Sequence, residues 1–227
     1  MKVLKLALCA ATASFAMAGA ASAQDVTFNI SATSDYVFRG VSQTDESPAL
    51  QGGVDLSSGV FYAGAWASNV DFGDDTSAEF DLYAGFKPVA GPVTFDLGAV
   101  YYGYVNAPPG ADYDFWEFKG AASVPAGPAT LGAAVFYSPD FFGGLGDSLY
   151  YEVNASVSPA PKWTLSGAVG KQTLSDFSIF DYTTYNVGIG YAFTDKISAD
   201  LRFFDSDLGC GSICDERVAI SLKAVLP

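Results

Sequence analysis

The sequence contains no histidine, and that absence excludes more chemistry than any motif present supplies. Ser-His-Asp hydrolysis and histidine-based metal sites are closed to it. Charge is scarce too: 16% of residues are charged, against about 25% in ordinary globular domains. The scarcer sign is positive, 11 basic residues against 25 acidic, so nucleic acid is not an expected partner. Beyond the N-terminal segment no apolar run reaches 18 residues, which removes membrane-spanning helices from consideration. Yet 50% of the residues are hydrophobic and 15% aromatic. A chain this apolar with no spanning helix is expected to cross a membrane with strands.

The N-terminus reads as an export signal. Lys2 and Lys5 precede an apolar stretch over 4–18, and Ala21-Ser22-Ala23 has the small residues of a cleavage site. The expected division is a cleaved signal peptide at 1–23 and one barrel domain at 24–227.

Over residues 26–38 apolar side chains (Val26, Phe28, Ile30, Ala32, Tyr36, Phe38) alternate with a set dominated by polar ones (Thr27, Asn29, Ser31, Thr33, Asp35). Period two is strand periodicity, and thirteen residues suit a tilted membrane strand better than an ordinary sheet. The pattern recurs along the chain. It is cleanest where Tyr185, Val187, Ile189, Tyr191 and Phe193 alternate with Thr184, Asn186, Gly188 and Gly190. In the segment 60–70 both faces are apolar, and the set with Tyr62 and Trp66 is assigned outward. The expected fold is all-β, a transmembrane antiparallel β-barrel of about twelve strands.

The connections sort into two kinds. Short turns (SSG, PVAGP, PAGP, SPAP, TD) alternate with longer acidic loops, as expected for periplasmic turns and external loops. Aromatic residues near strand ends (Tyr36, Phe38, Trp66, Phe86, Tyr101, Trp116, Tyr137, Tyr151, Trp163, Tyr191, Phe193) fit girdles at the two membrane interfaces. The outward face then has outer-membrane lipid as its partner.

The other face supplies the candidate pore-lining residues: Asp35, Arg39, Asp55, Glu79, Asp81, Lys87, Asp96, Glu117, Lys119, Glu152, Asp200, Arg202, Arg217 and Lys223. They can staple the wall as ion pairs, or set up a transverse field that orients small polar solutes. Asp35 and Arg39, four residues apart, are candidates for a structural pair or a constriction element. Inward Tyr83, Tyr102, Tyr104, Tyr113, Phe115, Phe136 and Tyr150 are expected to narrow the lumen.

Acidic residues crowd the loops, among them Asp45, Glu46, Asp71, Asp74, Asp75, Asp112, Asp114, Asp176, Asp205, Asp207, Asp215 and Glu216. A negative mouth concentrates cations. DFGDD lacks a calcium-ligand spacing, and no metal or cofactor is expected. Cys210 and Cys214, in an exported chain, are expected to close a small disulfide ring. Glu79 with Asp81 is the nearest approach to paired catalytic carboxylates, and alternate acids are common in any polar lumen, so no enzyme is expected.

The segment SDYVFRGVSQT, residues 34–44, followed by LQGG and YAGAWASNV, resembles the opening of the TorF family of outer-membrane porins, a conserved hypothetical family of proteobacteria. That resemblance implies a barrel and a channel, but no substrate and no binding residues. Many bacterial barrels end on an aromatic residue read by the barrel-assembly machinery during biogenesis. This chain ends Ala224-Val225-Leu226-Pro227 and departs from that pattern. The leading expectation is a porin-like channel in the bacterial outer membrane for passive diffusion of small polar solutes, cation-leaning. The alternatives are a non-conducting structural or surface-interaction barrel, and an exported soluble β-sandwich that binds a ligand.

Overall fold

The structure, a computed structural model, describes residues 25–226; the expected signal peptide lies outside the described residues. Fifteen strands follow in order: β1 (Asp25–Thr33), β2 (Val37–Phe38), β3 (Val41–Ser42), β4 (Ala49–Ser58), β5 (Phe61–Asn69), β6 (Ala78–Phe86), β7 (Val89–Ala90), β8 (Val93–Val105), β9 (Phe115–Ala126), β10 (Ala129–Ser138), β11 (Ser148–Ala160), β12 (Trp163–Leu174), β13 (Tyr182–Ala192), β14 (Ile197–Ser206) and β15 (Arg217–Leu226). The twelve long ones each pair antiparallel with their chain neighbours, and β1 closes the ring on β15 with Ile30 opposite Ala224. Closure leaves no free sheet edge, so backbone donors and acceptors are satisfied within the wall. It also excludes the two-layer sandwich.

The barrel is built inside out, as the alternation requires. Phe61 is 65% exposed and Val153 62%, whereas the side chains of Glu117 and Gln172 are wholly buried. Soluble monomers rarely expose contiguous apolar patches beyond a few hundred Å²; here all twelve long strands carry exposed large apolar residues. A ten-residue strand is about 33 Å long and, tilted by about 40°, spans about 25 Å, the height of the apolar band of membrane barrels. Several of the expected girdle residues stand on this outer surface: Phe86, Trp116, Tyr137, Tyr151, Trp163 and Phe193 are all exposed. Tight turns at one end use Gly59 and Gly127 at φ 61° and 63°, where a side chain would be strained.

Two expectations are corrected. β1 stops at Thr33, and the chain turns inward instead of carrying Tyr36 and Phe38 up the outer face. Residues 34–48 enter the barrel, turning at Arg39 (φ 47°) and Gly40 (φ 82°) so that Val37 pairs with Ser42. The period-two pattern continues through Phe38, but only the inward path lets the Tyr36 hydroxyl donate to the buried Glu79 carboxylate, at 2.7 Å; an unpaired buried carboxylate is costly. The phase of β5 is also opposite to the expected one. Phe61 and Ala67 face out, while Trp66 is inside with its ring 5.3 Å from that of Tyr36. Both faces of β5 are apolar enough to be outermost, and the tie is broken by the inward loop, which needs Trp66 to pack against.

Inward glycines make room for their neighbours' large side chains. At Gly170 an added Cβ would collide with the Tyr150 hydroxyl and ring. Gly170→Val is therefore expected to destabilise the barrel by about 1–3 kcal/mol, measured by urea unfolding in detergent micelles. Gly190→Ala, whose methyl would meet nothing closer than 3.7 Å, is expected to unfold near the wild-type midpoint.

Candidate functional site

The interior is polar because every second residue of each strand points inward, and its centre is a loop residue. Arg39 reaches from the loop between β1 and β4 to β9, where Nη1 and Nη2 donate to the two carboxylate oxygens of Glu117 at 2.7 and 2.8 Å. Nη1 also donates to Oε1 of Gln172 on β12, at 3.0 Å. In the order of the ring β9 lies nearly opposite the strands from which the loop departs, so the side chain crosses the lumen. The Phe38, Phe136 and Tyr150 rings surround the guanidinium at 4.7, 5.0 and 4.2 Å. Only a planar fork can serve two oxygens of one carboxylate while stacked among rings. Burial opposes the Arg39 charge, but the Glu117 carboxylate outweighs it and raises the Arg39 pKa, so the cation persists.

Two further contacts anchor the loop. Asp35 accepts from Arg217 of β15 at 3.0 Å and from the Ser42 and Thr44 hydroxyls at 2.7 and 3.0 Å. Tyr36 reaches Glu79 on β6. Burial, and then the Glu79 charge, push the Tyr36 pKa well up, which keeps its hydroxyl a donor. The loop is thus pinned on three sides of the wall. Asp35 and Arg39 do not pair with one another, which removes the first of the two alternatives for them; each takes a partner far away in sequence.

Beneath this plug, toward the short-turn end, Asp96, Asp200 and Arg202 are buried while Asp55, Lys87, Lys119 and Glu152 are partly covered. Lys119 donates to Asp96 at 2.6 Å, with Lys87 at 3.9 Å from the same carboxylate; the Tyr62 hydroxyl donates to Asp96 at 2.7 Å. Asp55 accepts from Tyr83 at 2.6 Å and Asn29 at 3.2 Å. Across the barrel Arg202 binds Asp200 at 3.0 Å, Asn186 at 2.7 Å and Ser166 at 2.8 Å. Glu152 accepts from Tyr150 and Asn154, both at 3.0 Å. Lys223 stands between Ser31 and Ser198 in register, and Asp81 follows Glu79 on β6 with one carboxylate oxygen buried and unpartnered. The Asp96–Lys119 and Asp200–Arg202 pairs join residues of the same or adjacent strands and hold the wall's shape. Arg39–Glu117 spans the interior.

Above the plug, loop aromatics roof one side of the mouth. Tyr113 stacks on Phe142 at 4.4 Å and Phe72 meets both rings at 5.6 and 5.5 Å, while Phe141 lies 4.9 Å from Phe115. Tyr113, expected to point inward, packs in this roof over the mouth. Cys210 and Cys214 are joined as a disulfide, their Cα atoms 5.6 Å apart, in the loop before β15.

Gln172 is absent from the inward candidates read from the sequence, though β12 runs on to Leu174. Extending the alternation of Thr164 and Ser166 through Gly170 reaches it. Sequence reasoning also missed Tyr36 and Trp66 as interior residues, and nothing local marks either one.

A closed twelve-stranded meander with a polar interior, an apolar exterior and a loop folded into its lumen is the architecture of outer-membrane porins. The structure has the fold of KdgM porin, with a TM-score of 0.62 over 87% of this chain and 98% of that one, at 5% sequence identity. A lower likeness, TM-score 0.47 at 14% identity, joins 87% of this chain to 61% of the outer membrane protein opdK from Pseudomonas aeruginosa. No curated protein matches the sequence. Residues 17–222 match the model of the Gcw_chp family, described as a bacterial protein of unknown function, and the chain belongs to that family. The family description carries neither an activity nor the TorF name.

Removing one partner of a buried ion pair strands the other, at a cost of about 3–5 kcal/mol. Arg39→Ala is expected to lose that much stability in urea unfolding. The double variant Arg39→Met/Glu117→Leu, which leaves no lone charge, is expected to recover most of it.

Proposed function

We propose that the protein is a narrow outer-membrane channel for small polar solutes, with the loop 34–48 as its constriction. The observation that carries this reading is the cross-lumen fork of Arg39 on Glu117 and Gln172. It holds a loop inside a polar barrel, where the loop limits what can pass. The exposed apolar exterior, flanked by aromatic residues, matches a bilayer in height and chemistry. In this reading residues 1–23 direct export, the barrel-assembly machinery inserts the chain, and the short turns face the periplasm.

The charge of the mouth favours cations. Exposed loop acids include Asp45, Glu46, Asp74, Asp75, Asp176 and Glu216, and such a field enriches cations locally. The partly covered carboxylates and lysines below the plug, Asp55, Lys87, Lys119 and Glu152 among them, are proposed to line the passage.

The complete burial of Glu117 and Gln172 favours a second reading, a non-conducting barrel in which the same loop is a permanent plug. Conductance across a planar bilayer separates the two. The channel reading expects small steps for the wild type, larger steps for Arg39→Ala, and a potassium permeability exceeding that of chloride. Silence from both proteins would leave the structural barrel, and equal permeabilities would remove the cation preference.

A further inference from the structure

Among the described residues, most exposed large apolar side chains lie on strand faces, and one cluster of three does not. The loop between β12 and β13 makes a single 3-10 turn, Ser178–Phe180, and Phe177, Ile179 and Phe180 on it are 41%, 85% and 48% exposed. Ile179 is more exposed than any large hydrophobic residue of the wall. The turn is built to hold them there. Asp181 accepts from the Leu174 amide at 2.8 Å, Phe180 N donates to the Phe177 carbonyl at 2.8 Å, and the Ser175 amide and hydroxyl tie the loop to the Asp147 carbonyl at 2.9 and 3.0 Å.

The outer wall directly below this turn has a gap. β11 carries Leu149 and Tyr151 on its outer face near the long-loop end, both exposed. At the same level β12 carries Thr173 opposite Leu149 and Lys171 opposite Tyr151, and β13 carries Thr183 opposite Lys171. The aromatic and aliphatic girdle continued by Trp116, Tyr137, Tyr151 and Tyr185 is therefore interrupted by polar residues at the long-loop end of β12 and the start of β13. That place is where the 3-10 turn packs against β12.

We propose that Phe177, Ile179 and Phe180 complete the girdle by lying in the lipid interface, their partner being the acyl chains and headgroup boundary of the leaflet at the long-loop end. The continuity of the turn with the apolar belt selects lipid as the occupant, since the same bilayer that covers Tyr151 and Tyr185 reaches the neighbouring sector. Aromatic and aliphatic side chains are at home in that interfacial layer. Lys171, on the polar notch, has a long stem that can keep its ammonium among headgroups. The proposal rests on the outer-membrane reading above.

The test places a nitroxide at Ile179→Cys, at Val187→Cys on the belt, and at Asp75→Cys in a different loop. The disulfide-bonded Cys210 and Cys214 do not react, and heat-modifiable gel mobility confirms that each variant is folded. In phospholipid vesicles the label at 179 is expected to collide more with oxygen than with a water-soluble nickel complex, as at 187 and in reverse of 75. If 179 instead behaves like 75 while 187 stays lipid-exposed, the lipid contact is overturned and the membrane reading stands. If 187 is also water-exposed, the membrane reading itself falls. Dilution-sensitive spin–spin broadening at 179 would assign the surface to a second copy of the chain and overturn the proposal as well.

Discussion

A guanidinium without water needs a carboxylate, and the interior of this barrel is arranged around that requirement at Arg39. Its fork takes both oxygens of Glu117 and one of Gln172, with three rings closing the remaining sides. Because the partners sit on β9 and β12 and the arginine on a loop leaving β1, the pair fixes the distance across the barrel. The Tyr102 hydroxyl, donating to Glu117 at 3.1 Å, and Ser148, accepting from Gln172 at 3.1 Å, hold the receiving groups in place. Gly170 leaves the space for the ring of Tyr150. Buried charge pairs add little stability relative to apolar replacements; what this one adds is a single position for the loop.

The same logic divides the barrel along its axis. Where the loop enters, polar groups are dry and each main charge has a designated partner: Asp35 with Arg217, Arg39 with Glu117, Glu79 with Tyr36. Toward the short turns the wall charges pair with their neighbours, and Lys119 and Glu152 are only partly covered. Ion pairs between adjacent strands hold register and leave the centre free, whereas a pair across the lumen occupies it. One barrel thus contains a half crossed by an ion pair from the loop and a half whose ion pairs stay on the wall.

Much of this was legible from residue order, for a definite reason. In a barrel each side chain sees either lipid-like surroundings or the interior, so the two-residue period reports orientation directly. Twelve strands, the sorting of turns from loops, and the inward positions of Asp55, Glu117, Lys119 and Arg202 all follow from it. The reading failed where that period lost its meaning. At Tyr36 and Phe38 the alternation continues, yet the chain has left the wall, and on β5 both faces are apolar, so Trp66 cannot be assigned without its neighbours.

Sequence by itself determined the class of fold, the apolar exterior, the polar interior of mixed charge and the acidic loops, because these depend on local alternation and on composition. Only the tertiary structure decided which charges meet. Arg39 and Glu117 are 78 residues apart and Asp35 and Arg217 182 apart, separations set by ring closure and by the inward path of residues 34–48. No local pattern encodes either one. The physical reason is that orientation is a property of a strand, while partnership across a lumen is a property of the closed ring.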